Sequence, residues 1–268
     1  MRRPWLGRAR VLAGVAVLAV LVWRVGLTPF LHGLSTVDAR TLLLGLLLGV
    51  PTTLCCAWRW TLVSDGLGVR LPLRRAVAAC YRSQLINVAL PGGVLGDVHR
   101  GVRHGLRSVV WERFAGQVVL VTVTAGVLLL APTPTHRWAP LLAVLAVAGV
   151  AVLGVGPGML SARTGPGVLL ASLGALLGPV ATFVVAARAA GVTASVPVLV
   201  PLALLVLLAM ALPLNVAGWG PREGVAAWAF AATGLGAGAG VATAVVYGLM
   251  TIVAVLPGAL LLRGATRG

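Results

Sequence analysis

Apolar residues fall into long runs along this chain, at 11–22, 41–57, 118–131, 141–155, 168–187, 196–212 and 241–262. Several reach or approach the roughly 20 residues an α-helix needs to cross a bilayer. The polar stretches between them are too short to fold as separate domains. The pattern predicts an all-α, polytopic membrane protein, one integral membrane domain over residues 1–268. Full spans are expected at about 11–28, 41–63, 110–131, 139–160, 167–188 and 241–262, with an outer loop at 29–40 and a basic inner loop around 99–107. Arg2, Arg3, Arg8 and Arg10 precede the first run in the manner of a signal peptide. No clear small-residue cleavage site follows before Arg24 and Pro29, so it reads as a retained helix.

Two segments break the pattern. Residues 76–96 are apolar enough to enter a membrane but are interrupted at Pro91-Gly92-Gly93, with arginines on both flanks (Arg70, Arg74, Arg75 and Arg82 before, Arg100, Arg103 and Arg107 after). Residues 196–235 are interrupted between Pro213 and Pro221. Backbone of this kind is tolerated at membrane depth only where protein or a wet cavity shields it. Both segments read as re-entrant helical hairpins, entered from opposite faces. Residues 41–131 and 167–262 then form an inverted repeat with a polar site at its interface, as in many transporters. The alternative makes 196–212 and 224–240 ordinary spans joined by a short loop.

Composition narrows the class. Only 10% of residues are charged and 59% are hydrophobic, against about 25% charged in soluble domains. The net charge of +16 comes entirely from arginine, since the chain has no lysine. The arginines cluster at the ends of apolar runs and build no continuous patch, which argues against nucleic acid as a partner. They place both termini and the 70–82 and 100–107 stretches on the cytoplasmic side, where they attract anionic lipid headgroups. Cys55, Cys56 and Cys80 show no metal-binding spacing and read as packing residues. No metal and no cofactor is expected. The glycines from Gly234 to Gly240 lack the lysine and hydroxyl of a phosphate-binding loop.

The candidate chemistry sits at the two breaks. Ser83 and Asn87 are four apart and share a helix face. Pro91 ends that helix, Gly92 and Gly93 free the backbone, and Gly96-Asp97 begins another helix that Asp97 is placed to cap. A helix start facing a dry cavity suits an anion. Arg100 follows three residues later, either aimed by Asp97 at an anionic headgroup or paired with it to pin the hairpin. At the second break, Pro213 and Asn215 precede Gly218, Trp219 and Gly220. Pro221 fits a first helical turn, Glu223 suits its positive end, and Arg222 can reach a phosphate with two hydrogen bonds. Glu112 and Arg113 begin the next span, as an interfacial pair or with Glu112 in a functional or cavity-structuring role. The expected substrate-binding set is therefore Ser83, Asn87, Asp97, Arg100, Glu112, Asn215, Arg222 and Glu223. No Ser/His pairing suggests a hydrolase, so no catalytic residue is assigned.

These segments, Asn87…Leu90-Pro91-Gly92-Gly93…Gly96-Asp97…Arg100, Glu112-Arg113-Phe114-Ala115-Gly116 and Leu212-Pro213…Gly218-Trp219-Gly220-Pro221-Arg222-Glu223-Gly224, resemble the lysylphosphatidylglycerol synthase membrane-region family of flippase-like bacterial proteins. The family usually has Gly-Gly-Asp where this chain has Leu95-Gly96-Asp97. The resemblance implies an inner-membrane protein with relatives that move aminoacylated phosphatidylglycerol across the bilayer. The soluble aminoacyl-transfer domain of the full synthases is absent from this sequence, so lipid aminoacylation is not expected. A translocator of an anionic or aminoacylated phospholipid headgroup is one reading. A non-transporting membrane partner of a cell-envelope or glycosyltransferase enzyme is the other.

Overall fold

A computed structural model describes residues 4–89, 95–130, 139–155, 164–211 and 219–264, and every regular element among them is a helix. In chain order these are α1 (Pro4–Val25), α2 (Thr28–Ser35), α3 (Ala39–Gly66), α4 (Leu73–Ala89), α5 (Leu95–His104), α6 (Leu106–Leu130), α7 (Ala139–Val155), α8 (Gly165–Ala189), α9 (Val196–Ala211), α10 (Pro221–Ala232), α11 (Ala237–Val255) and α12 (Pro257–Gly264). The all-helical expectation holds for these residues.

The expected six full spans are matched only in part. Among the described residues, four stretches are long and apolar enough to cross a membrane: Ala39–Gly66, Leu106–Leu130, Gly165–Ala189 and, running through α11 into α12, Ala237–Leu261. Val15–Val25 of the first expected span passes the same test together with Thr28–Ser35 of α2, and the two are bent by 99° at the break between them. The proposed outer loop at 29–40 is thus largely the helix α2, begun by Pro29 at a first-turn position. Of the span expected at 139–160, the described residues form α7 (Ala139–Val155), and 156–160 lie outside them. The basic inner loop shrinks to a single residue, because α5 runs to His104 and α6 starts at Leu106. Gly105, at φ +103°, makes that turn in a conformation other residues rarely adopt.

The apolar helices pack through small residues, as expected where lipid offers no hydrophobic contrast. On α8, Gly174 and Gly178 lie against α3. A methyl group at Gly174 would stand 2.7 Å from Cys55 Sγ, and one at Gly178 would collide with Thr52 Oγ1. Nearer the start of α3, Gly45 and Gly49 admit α11, where added methyls would meet Met250 at 2.8 Å and Ala254 at 2.5 Å. Pro51 and Pro179 interrupt the hydrogen-bond ladders of α3 and α8. Close to these prolines the Thr52 hydroxyl donates to the Leu48 carbonyl (2.7 Å) and that of Thr182 to the Gly178 carbonyl (2.9 Å), so both hydroxyls are satisfied within their own helices.

Helices α3–α6 and α8–α11 touch one another in matching pairs. α3 packs on α4 as α8 does on α9, α4 on α5 as α9 on α10, α5 on α6 as α10 on α11, and α3 on α6 as α8 on α11. Between the groups, α3 meets α11 as α8 meets α6, and α4 meets α11 as α9 meets α6. The largest buried cluster joins α8, α9, α10 and α11 around Phe183, Phe230 and Tyr247, with Phe183 edge-on to Phe230. Large apolar side chains such as Leu130, Val147 and Leu170 remain exposed on the outside, which suits a lipid environment.

Candidate functional site: a guanidinium–carboxylate network on an amphipathic cavity

The network begins where α5 lies on α4. A methyl group on Gly96 would collide with the Ser83 carbonyl, so only glycine lets the two helices approach this closely. The Asn87 side-chain oxygen accepts from the Gly96 N–H at 2.7 Å. It satisfies one of the free donors at the start of α5. The expected cap, Asp97, does something else. Its carboxylate accepts from Ser83 Oγ (2.8 Å), Asn87 Nδ2 (3.0 Å) and Arg113 Nη2 (2.7 Å). The helix end is capped from a neighbouring helix, which leaves the acid available for cations.

Glu112 on α6 is the centre of the charge arrangement and is only 1% exposed. Its Oε1 accepts from Arg59 Nε at 2.9 Å and also from Arg59 Nη2. Its Oε2 accepts from Arg100 Nη2 at 2.8 Å. Arg100 also stands 3.4 Å from Asp97 Oδ1, donates to Cys80 Sγ at 3.0 Å, and lies over the Trp60 ring at 4.4 Å. Trp60 is held by donating to Ser108 Oγ (3.1 Å). Arg59 extends toward Ser172 on α8 (3.4 Å). Charges this deep persist only when paired and hydrogen-bonded. Here one carboxylate joins α3, α5 and α6.

Three guanidiniums (Arg59, Arg100, Arg113) face two carboxylates (Asp97, Glu112), leaving one positive charge over. The three cations differ in exposure. The side chains of Arg59 and Arg100 are buried, whereas that of Arg113 is 45% exposed. Arg59, Asp97 and Arg113 line an open cavity of about 680 Å³, and Gln117 and Ser172 add to its polar end. Its other walls are apolar and come from α5, α6, α8 and α9, through residues such as Val98, Phe114, Leu176 and Leu207.

The structure brings Ser83, Asn87, Asp97, Arg100 and Glu112 together. Arg222 and Glu223 form their own pair, with Arg222 Nε donating to Glu223 Oε1 at 2.7 Å. Glu223 Oε2 accepts from the Gly220 N–H at 2.6 Å, the role at a positive helix end expected for it. Pro221 does open α10, after Gly220 at φ +117°. Arg222 rests on Gly248 of α11, where a methyl group would collide with it, and faces the rings of Trp219 (5.1 Å) and Tyr247 (5.9 Å). Among the described residues no hydrogen bond or ion pair links Arg222 or Glu223 to the Glu112 network. Pro91, Gly92, Gly93, Pro213, Asn215 and Gly218 lie outside the described residues.

Sequence reasoning missed Arg59 and left Arg113 as an interfacial charge. Arg59 carried a signal, since it stands alone with its charge inside an apolar run, and an ionisable residue in a span marks function by default. Ser172 and Gln117 carried none.

An all-helical chain with membrane-length spans and a charged network at a helix break is a polytopic membrane protein. The sequence model of the lysylphosphatidylglycerol synthase TM region family matches residues 10–164, and the chain belongs to that family. The match takes in α3 to α6 and every charged residue of the Glu112 network, while Ser172 and the 212–224 motif lie beyond it. No curated protein matches the chain.

Proposed function

We propose that this protein binds and translocates the headgroup of an anionic or aminoacylated phospholipid, as a flippase-like component of a bacterial inner membrane. One observation carries the reading. A single open cavity sets guanidinium groups at one end and apolar helix faces along the rest, the two halves of a phospholipid's chemistry. Arg59 and Arg113 supply the positive end, Glu112 and Asp97 hold them in place, and buried Arg100 backs Glu112 from outside the cavity lining.

The matching contacts of α3–α6 and α8–α11 support an inverted-repeat arrangement with α4–α5 and α9–α10 as paired re-entrant hairpins. Arg222 is the second anion contact. Tyr247, beside it, lines a smaller cavity of about 140 Å³ that shares Thr52 and Pro179 with the large one. A headgroup moving between the cavities passes from the Glu112 network toward Arg222. Both termini lie on the arginine-rich, cytoplasmic side in this reading.

The test is reconstitution of the purified chain into vesicles carrying headgroup-labelled phosphatidylglycerol, with an impermeant quencher outside. Protein-dependent loss of the protected inner-leaflet fraction is expected. Vesicles with and without protein behaving alike would overturn translocation and favour a role as membrane partner to an envelope enzyme.

A further inference from the structure

A second, much smaller cavity of about 50 Å³ lies inside the network, lined by Cys56, Cys80, Ser83, Gln84, Arg100 and Arg113. A water molecule's share of liquid volume is about 30 Å³. The space therefore admits a monatomic ion or a water or two, and excludes a phosphodiester with its ester arms.

The hydrogen-bonding capacity left on its walls is mostly of one kind. The side chain of Arg100 is only 3% exposed, and its Nε–H has no hydrogen-bond partner among the described residues. Its other two nitrogens are engaged, Nη1 with Cys80 Sγ and Nη2 with Glu112 Oε2. The Gln84 oxygen accepts from Thr53 Oγ1 at 3.1 Å, which leaves the amide N–H groups unspent. Cys80 accepts through sulfur and keeps its own S–H as a donor. Glu112 also lines the cavity, but guanidinium hydrogens already engage both of its oxygens. A water has to donate as well as accept, whereas an anion only accepts.

Charge points the same way. Three guanidiniums share two carboxylates in this network, and Arg113 lines the small cavity as well as the large one. A buried charge left uncompensated is strongly destabilising.

We propose that the small cavity is a halide site. A chloride ion accepts from the Arg100 Nε–H, with the Gln84 amide and the Cys56 and Cys80 thiols as its further donors, and offsets the positive charge that Asp97 and Glu112 leave over. The ion is a fixed counter-charge for the packing of α3–α6, separate from any lipid in the large cavity. Folding is then linked to chloride, because an ion bound only by the folded chain stabilises it.

The experiment follows thermal unfolding of the full chain in detergent at constant ionic strength, as sodium gluconate is replaced by sodium chloride or sodium bromide. Gluconate is too large for the cavity. The melting temperature should rise by about 5 °C at chloride concentrations about a hundredfold above its Kd, and bromide should act like chloride. Gln84→Glu places a carboxylate of nearly the same shape in the cavity and supplies the missing charge. That variant should be as stable in gluconate as the parent is in chloride, and should lose the chloride response. Anomalous diffraction from bromide-grown crystals of the parent should show a peak in the cavity beside Arg100 Nε. A parent indifferent to chloride, a Gln84→Glu variant that responds as the parent does, or a bromide map with no peak there would each overturn the halide and leave the space to water. None of these outcomes alters what the vesicle assay reads, so the two proposals fail separately.

Discussion

Arg59 lies across Gly116: a methyl group on that glycine would stand 2.8 Å from Nη1 and 2.9 Å from Cζ of the arginine. The guanidinium cannot yield cheaply, because Glu112, one turn back on α6, holds it in a buried pair. Arg222 rests on Gly248 of α11 in the same manner.

Gly116→Ala should therefore fail to show the roughly 1 kcal/mol that alanine normally adds over glycine inside a helix. Displacing Arg59 should make the variant about 1–3 kcal/mol less stable instead, the usual cost of overfilling a packed site. Unfolding in detergent measures this. A gain in stability would mean that Arg59 moves freely.

Glu112→Gln removes the charge that Arg59 and Arg100 share and leaves two buried guanidiniums facing a neutral amide. Breaking a buried pair costs about 3–5 kcal/mol. The variant should unfold well below the parent, and lipid binding should fall with it. Parental stability would show that Glu112 does not hold these helices together.

His104 gives a pH dependence. Its ring sits edge-on to Trp60 at 5.7 Å. Partial burial, with Arg82 and Arg103 nearby, holds its pKa below the ordinary histidine value. The folded chain favours the neutral ring, while the unfolded chain takes up a proton near the usual value of about 6.5. The stability difference is fully in place above that pH and is lost as pH falls through the lower folded value. Apparent melting temperature should drop between roughly pH 7 and 5 in the parent, and drop less in His104→Gln.

Gly174→Cys should form a disulfide with Cys55. A Cβ at position 174 would lie 3.6 Å from that of Cys55, inside the roughly 3.5–4.5 Å range of natural disulfides. Oxidation should produce a thiol-free pair, seen by alkylation and mass spectrometry, with headgroup movement unchanged. Loss of movement on oxidation, restored by reductant, would show that α3 and α8 slide past each other.

Much of the network was legible because acids are scarce here. With five in the chain, Asp97 and Glu112 stood out, and the four-residue step from Ser83 to Asn87 placed both beside Asp97. Arg59 was legible as a lone charge inside the span expected at 41–63, but its partner Glu112 lies 53 residues away, a pairing that spacing along the chain does not reveal. Arg222 was expected to share a pocket with Arg100; in the structure its Nε donates to the adjacent Glu223, a contact between neighbours that spacing cannot distinguish from a shared site. The glycine pairs Gly45/Gly49 and Gly174/Gly178 have the four-residue step of close helix packing and could have been found beforehand.

The crossing of α3 and α8 has no slack, since at Gly178 even one extra carbon has nowhere to go. These two helices turn as one body. Any change of shape that carries a polar group from one leaflet to the other falls on the short helices around them, whose ends are fastened by hydrogen bonds such as Asn87 to Gly96 and Glu223 to Gly220. Such bonds can be exchanged one at a time for water or a ligand, and an interlocked backbone cannot.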